Sequence, residues 1–187
     1  ETVPLGYTAN QTNCVNVPLG GTCTITNTLN SDTIAVNKDF IPNSVATVPV
    51  SLTCTSGTVT TSPLNAAEGS PALFTVTGAT PGATCTATET VPLGYTANQA
   101  NCVNVPLGGS CTITNTLNSD TIAVHKDFAP NSVATVPVSL TCTSGTVTAT
   151  PLNASESTPA VFTVTGAAPG ATCTATETVP LGYTANQ

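Results

Sequence analysis

Apolar and polar residues alternate along much of this chain with the period of two expected of half-buried strands, not the 3.6 of a helix. Ile34, Val36, Lys38 and Phe40 share one face of a run, and Val48, Val50, Leu52 and Cys54 share another. Phe74 and Val76 follow, then Cys85, Ala87, Glu89 and Val91, and finally Cys111, Ile113, Asn115 and Leu117. Turn-forming clusters separate them: Ile41-Pro42-Asn43-Ser44, Thr55-Ser56-Gly57, the Gly78 to Gly82 stretch and Pro92-Leu93-Gly94. Short alternating strands punctuated in this way predict an all-β sandwich. The polar stretch from Ser62 to Pro71 reads as a surface loop.

The whole pattern then repeats. Residues 1–88 return as 89–176 with eleven substitutions, and Glu177 to Gln187 opens a third copy. A period of 88 residues is too long for one turn of a solenoid and suits one small domain. Near-identical neighbours serve a fibre, stalk or spacer better than they serve catalysis. Counted from the first strand, residues 1–31 are the end of a preceding module, 32–118 a complete sandwich, and 119–187 a module without its closing strand. The matching first and last eleven residues favour a continuous tandem chain. Were Gln187 a true end, Glu1 to Asn30 of another molecule would have the sequence to supply the missing strand.

Composition narrows the class further. Only 6% of residues are charged, with two Lys, no Arg and a net charge of −7. A chain so poor in cations lacks the footprint that nucleic-acid phosphates require, so nucleic acid is excluded as an expected partner. No apolar run is long enough to span a membrane as a helix.

The eight cysteines keep the period: Cys14, Cys23, Cys54 and Cys85, then Cys102, Cys111, Cys142 and Cys173. No Cys-x-x-Cys pair exists and His125 is the only histidine, so no metal site and no cofactor are expected. Four cysteines per small strand-rich module suit disulfides and an oxidising, extracellular setting, with reduced buried thiols the alternative. Cys102 and Cys111 flank the turn at Val105 to Gly109 as opposed hairpin positions, which leaves Cys54 for Cys85.

Parity places three polar residues on the apolar side of their strands: Lys38, Glu89 and Asn115. Burying an ammonium, a carboxylate or an amide is costly unless each finds a partner. A bulge turning them outwards, or a simple buried ion pair, would account for any one of them. All three within one module are harder to explain that way. Their setting is Val36-Asn37-Lys38-Asp39-Phe40, then Glu89-Thr90-Val91-Pro92-Leu93-Gly94-Tyr95, then Thr112-Ile113-Thr114-Asn115-Thr116. This order resembles the collagen-adhesin B-type (Cna B, prealbumin-like) domains of bacterial surface proteins and pilins. The middle motif carries Val-Pro-Leu-Gly-Tyr where the family commonly has Ala-Pro-x-Gly-Tyr.

The resemblance implies Ig-like or prealbumin-like sandwiches arranged as an extended fibre, each closed by an intramolecular Lys–Asn isopeptide bond. The chemistry follows from the residues as well. Burial favours the neutral amine of Lys38, which is a nucleophile. Glu89 can then polarise the Asn115 carbonyl and shuttle protons, acting as the catalytic group of this self-reaction. Attack releases ammonia and leaves one uncharged amide. In the flanking modules the same reading would pair Asn27 with a Lys upstream of Glu1, and Lys126 and Glu177 with an Asn beyond Gln187.

Other signals are weaker. Asn10-Gln11-Thr12 and Asn153-Ala154-Ser155 match a glycosylation pattern that neither sister copy keeps. Thr-x-Thr strings such as Thr112-Ile113-Thr114 are the solvent face of strands before they are an ice-binding surface. Asp32, Asp39 and Glu68 lack the spacing of a calcium loop. No catalytic constellation for an external small-molecule substrate recurs. The expected function is structural, a cell-surface fibre, stalk or filament whose partner is itself; the alternative is a set of adhesin repeats that bind a host or surface ligand.

Overall fold

The computed structural model describes residues 1–186 and is all-β apart from two short 3-10 turns at Thr12–Cys14 and Ala100–Cys102. Two compact units divide it, one formed by residues 1–91 with 97–115, the other by 92–96 with 116–187.

Residues 1–30 contribute β1 (Tyr7–Asn10) and β2 (Thr26–Leu29), an antiparallel pair. The sandwich that follows is built from β3 (Ser31–Ile41), β4 (Val48–Cys54), β5 (Thr58–Val59), β6 (Leu64–Ala66), β7 (Ala72–Thr77), β8 (Thr84–Glu89), β9 (Tyr95–Asn98), β10 (Val105–Pro106) and β11 (Ser110–Leu117). One sheet has the order β10-β8-β4-β6, the other β5-β7-β3-β11-β9. Their inner faces share one core: Ile34, Val36, Phe74, Val76 and Ile113 from the larger sheet meet Val50, Leu52, Ala66, Cys85 and Ala87 from the smaller. Alternation of buried and exposed residues along β3, β4, β7 and β11 is what the sequence predicts for half-buried strands.

β3 and β11 run parallel. The Gly108 N–H donates to Thr33 O and the Ala35 N–H to Gly109 O, while the Asn37 amide reaches Cys111 O. Partner numbers rise together along both strands, the mark of a parallel ladder. The chain therefore enters this sandwich at one end of the ladder and leaves at the other.

The second unit repeats the plan with β12 (Ser119–Val124), β13 (Val136–Cys142), β14 (Thr146–Val147), β15 (Leu152–Ala154), β16 (Ala160–Thr165) and β17 (Cys173–Glu177). Its sheets have the orders β12-β16-β14 and β15-β13-β17. No described strand stands where β11 stands in the first unit, and the effect is visible in near-identical sequence. β12 has 6 residues where β3 has 11. Ile122 and Val124 are half-buried, whereas their counterparts Ile34 and Val36 are 0% exposed. A strand that lacks its parallel neighbour loses ladder bonds on one side and cover on its inner face.

Two details depart from the sequence reading. β8 ends at Glu89, so Val91 is exposed and does not extend the inward face. The Ser62 to Pro71 stretch is more than a surface loop: it carries β6, and Ala66 is buried.

Candidate site: a buried lysine, carboxylate and amide

Each member of the triad sits on a strand that the core holds in place. Lys38 lies between Val36 and Phe40 on the inward face of β3, both of them buried. Glu89 ends β8 in register with Val50 of β4. Asn115 follows Ile113 on the inward face of β11 and is 0% exposed. None of the three flips outwards through a bulge.

The Lys38 Nζ lies 3.3 Å from Glu89 Oε2, with both side chains 0% exposed. It donates to Ile113 O at 3.1 Å, on the strand that carries Asn115, and sits 4.6 Å from the centroid of the Phe40 ring. Burial pushes the Lys38 ammonium below the ordinary lysine value, against the opposing pull of Glu89 and, more weakly, Asp39 and Glu68. Burial thereby lowers the cost of taking a proton from Lys38. Among the described residues, the buried side-chain polar atoms without a hydrogen bond are Glu89 Oε1 and Oε2 and Asn115 Nδ2 and Oδ1. The ion pair with Lys38 is the contact Glu89 Oε2 does have. Buried polar groups are nearly always satisfied, so orphans confined to two members of one triad call for an explanation.

The surrounding contacts fix the strands that carry these groups. Asp39 Oδ2 accepts the Thr114 hydroxyl at 3.2 Å, tying β3 to β11 beside the site. Glu68 accepts the Phe40 N–H at 2.8 Å and the Ser44 N–H at 3.2 Å, holding the end of β3. Its counterpart Glu156 accepts from Phe128 and Ser132. The sequence reading assigned neither glutamate this role. The signal was present, since both copies keep the Glu while the positions around it change, as Ala67, Gly69 and Ser70 become Ser155, Ser157 and Thr158.

In the second unit Lys126 Nζ lies 3.5 Å from Glu177 Oε2, and the side chains are 18% and 10% exposed. The pair forms without a closing strand but stays open to solvent. At the other end, Asn27 is exposed and donates to Glu1 Oε2 at 3.5 Å, with no lysine of its own nearby in sequence. The structure thus holds one lysine–glutamate pair enclosed with a buried asparagine on the neighbouring strand, and two of the three members at each flanking position.

All four disulfides join the expected partners: Cys14–Cys23, Cys54–Cys85, Cys102–Cys111 and Cys142–Cys173. Cys54 and Cys85 face each other across β4 and β8, and Cys102–Cys111 spans the turn that leads into β11; the two cysteines are not opposed hairpin positions, because β10 between them pairs with β8 of the other sheet. Among the described residues no group of three or more His, Cys, Asp or Glu could hold a metal ion. Among the described residues no helix is long and apolar enough to cross a membrane.

Each junction between modules is one residue long. Asn118 separates β11 from β12; its N–H donates to Gly94 O, and its carbonyl accepts from the Gly166 N–H, both at 2.8 Å. Asn30 makes the same two bonds with Gly6 and Gly78. The backbones approach so closely that a Cβ on Gly94, itself at φ +83°, would lie 2.4 Å from Gly166 O. Only glycine fits there.

No family model and no curated protein matches the chain. Among solved structures, the chain is similar to two B-repeat units of the collagen-binding protein of Staphylococcus aureus, at 17% identity and a TM-score of 0.33. The match covers 95% of this chain and 50% of that one, so the chain spans about half the length of the structure it resembles.

Proposed function

We propose that this chain is part of an extracellular surface fibre or stalk of tandem sandwiches, each stapled by a self-formed isopeptide bond between the lysine of its first strand and the asparagine of its last. The observation that carries the reading is the enclosed Lys38–Glu89 pair together with an Asn115 amide that has no hydrogen bond. Burial disfavours the charged amine, so Lys38 is a competent nucleophile toward the Asn115 Cγ. Glu89 accepts a proton from the attacking amine and returns it to the leaving nitrogen, which departs as ammonia. The product is one amide with no net charge, and the desolvation cost of the buried ion pair disappears.

The position of the bond gives it a mechanical meaning. Load enters a module through β3 and leaves through β11, the two strands that Lys38 and Asn115 would join. Tension would pass from Lys38 to Asn115 directly, leaving residues 39–114 outside the force path. Single-residue, hydrogen-bonded junctions and near-identical copies also suit a spacer. Four disulfides suit an oxidising compartment. Adhesin repeats with a ligand face are the second class.

Pulling single molecules by their ends under reducing conditions tests this. The first unit should show no unfolding extension between residues 38 and 115, and Asn115→Ala should release that hidden length. Equal extension from both proteins would refute the staple.

A further inference from the structure

We propose that Gln99 is a positioning residue for the joining of Lys38 to Asn115: its side-chain carbonyl holds the main chain of Glu89 so that the carboxylate is presented to Lys38 and to the strand that carries Asn115. The proposal rests on the crosslink reading above and adds to it a residue that touches none of the reacting atoms.

Glu89 needs such a hold because the sheet gives it little. It is the last residue of β8, and β10, the neighbour on one side, pairs with Cys85 and Thr84 and goes no further. On the other side the ladder with β4 reaches its last pair at Val50 and Glu89, and the next bond, from the Thr90 N–H to Pro49 O, is stretched to 3.4 Å. Neither carboxylate oxygen has a hydrogen bond, so the ion pair with Lys38 is the polar contact that aims the side chain. Strand ends held so lightly fray. Where the ladder stops, the Glu89 N–H donates to Gln99 Oε1 at 3.1 Å.

Gln99 is itself anchored in a tight turn. Its backbone carbonyl accepts the Cys102 N–H at 2.9 Å, and the Asn98 side chain accepts the Ala100 N–H at 3.2 Å. Local sequence suffices to make this turn. Gln11 adopts it too, at φ −112° and ψ 9° against −114° and 6° for Gln99, with the same two hydrogen bonds, although Thr12 stands where Ala100 does. In every copy a Gln stands ten residues after the Glu: Glu1 and Gln11, Glu89 and Gln99, Glu177 and Gln187. An amide suits the task for an electrostatic reason. It offers an acceptor without charge, whereas a second carboxylate here would join Glu89, Asp39 and Glu68 in favouring the Lys38 ammonium over the amine that attacks.

The test starts from the full-length chain purified in denaturant, where the triad is not assembled, and refolds it under oxidising conditions across a range of pH. The step scored forms the Lys38 Nζ–Asn115 Cγ bond and breaks Asn115 Cγ–Nδ2, releasing ammonia. Intact mass after reduction follows that loss with time, peptide mapping assigns it, and hydrogen exchange in β8 and β11 measures the folded fraction. Gln99→Met keeps the length of the side chain and removes the acceptor. It should fold to the same extent and ligate on the order of 10²-fold more slowly, the cost of a misplaced reacting group. Gln99→Glu restores an acceptor and should recover ligation, with its pH profile displaced upward by the added charge. Ligation of Gln99→Met at the parental rate overturns the proposal and leaves the staple standing. So does a rate that falls equally in Gln99→Met and Gln99→Glu at every pH, or one that falls only in proportion to the folded fraction. A parent that folds without losing ammonia overturns the crosslink reading itself, and this proposal with it.

Discussion

Replacing Asn115 with alanine separates a crosslinked module from a hydrogen-bonded one, because the two accounts predict opposite energetics. A Lys38–Asn115 bond would close a loop that the Cys54–Cys85 and Cys102–Cys111 bridges shorten to roughly 37 residues. Opening a loop of that size returns about 4 kcal/mol of chain entropy to the unfolded state. For a module of this size the loss corresponds to a fall of ~15–30 °C in melting temperature. Without the bond, Asn115 is an enclosed amide with neither polar atom satisfied, a burden of about 1–3 kcal/mol that truncation would lift. The small cavity left by alanine offsets part of that gain, so the change would be within about 1 kcal/mol of neutral. Thermal and urea unfolding under oxidising conditions, followed by hydrogen exchange at the amides of β3 and β11, measure the difference in the first unit. An Asn115→Ala protein as stable as the parent, or more so, would refute the reasoning.

Four further outcomes follow from the same geometry. Glu89→Gln should block ammonia loss and leave Lys38 without its counter-charge, lowering stability by ~3–5 kcal/mol, read by mass and urea unfolding. In Asn115→Ala the folded state binds fewer protons at Lys38 than the unfolded state does, because burial lowers its pKa below 10.5. Stability of that variant should therefore rise with pH from the folded-state value up to 10.5, while the crosslinked parent, whose Lys38 no longer titrates, lacks this dependence. Replacing Cys102 and Cys111 together by alanine should cost about 2–3 kcal/mol, the value for its short loop, and leave the ammonia loss unchanged. Gly94→Ala should break the Asn118–Gly94 hydrogen bond through backbone strain and overlap with Gly166 O, making the junction the first site of limited proteolysis.

Much of this was legible because period-two alternation encodes which face each strand buries. Lys38, Glu89 and Asn115 could be found as parity violations before any coordinates, and the Cys102–Cys111 pair could be named from the turn at Val105 to Gly109, although β10 there joins β8 and forms no hairpin with β11. The parallel register of β3 and β11 was not legible, since no local pattern records which distant strand becomes a neighbour. The clamp by Glu68 escaped notice because a lone acidic residue in a polar stretch looks solvated until its backbone partners, Phe40 and Ser44, are seen. Nor could the sequence show how much of β3 depends on β11. The second unit gives that answer by shortening the same strand and half-exposing Ile122 and Val124.

The central claim meets its most direct test in the intact mass of the purified monomer after full reduction, joined to peptide mapping. A stapled first unit makes the chain lighter than its sequence by one ammonia, with the deficit in a branched peptide linking Lys38 to Asn115. A mass equal to the sequence, with Lys38 and Asn115 recovered in separate unmodified peptides, would contradict it.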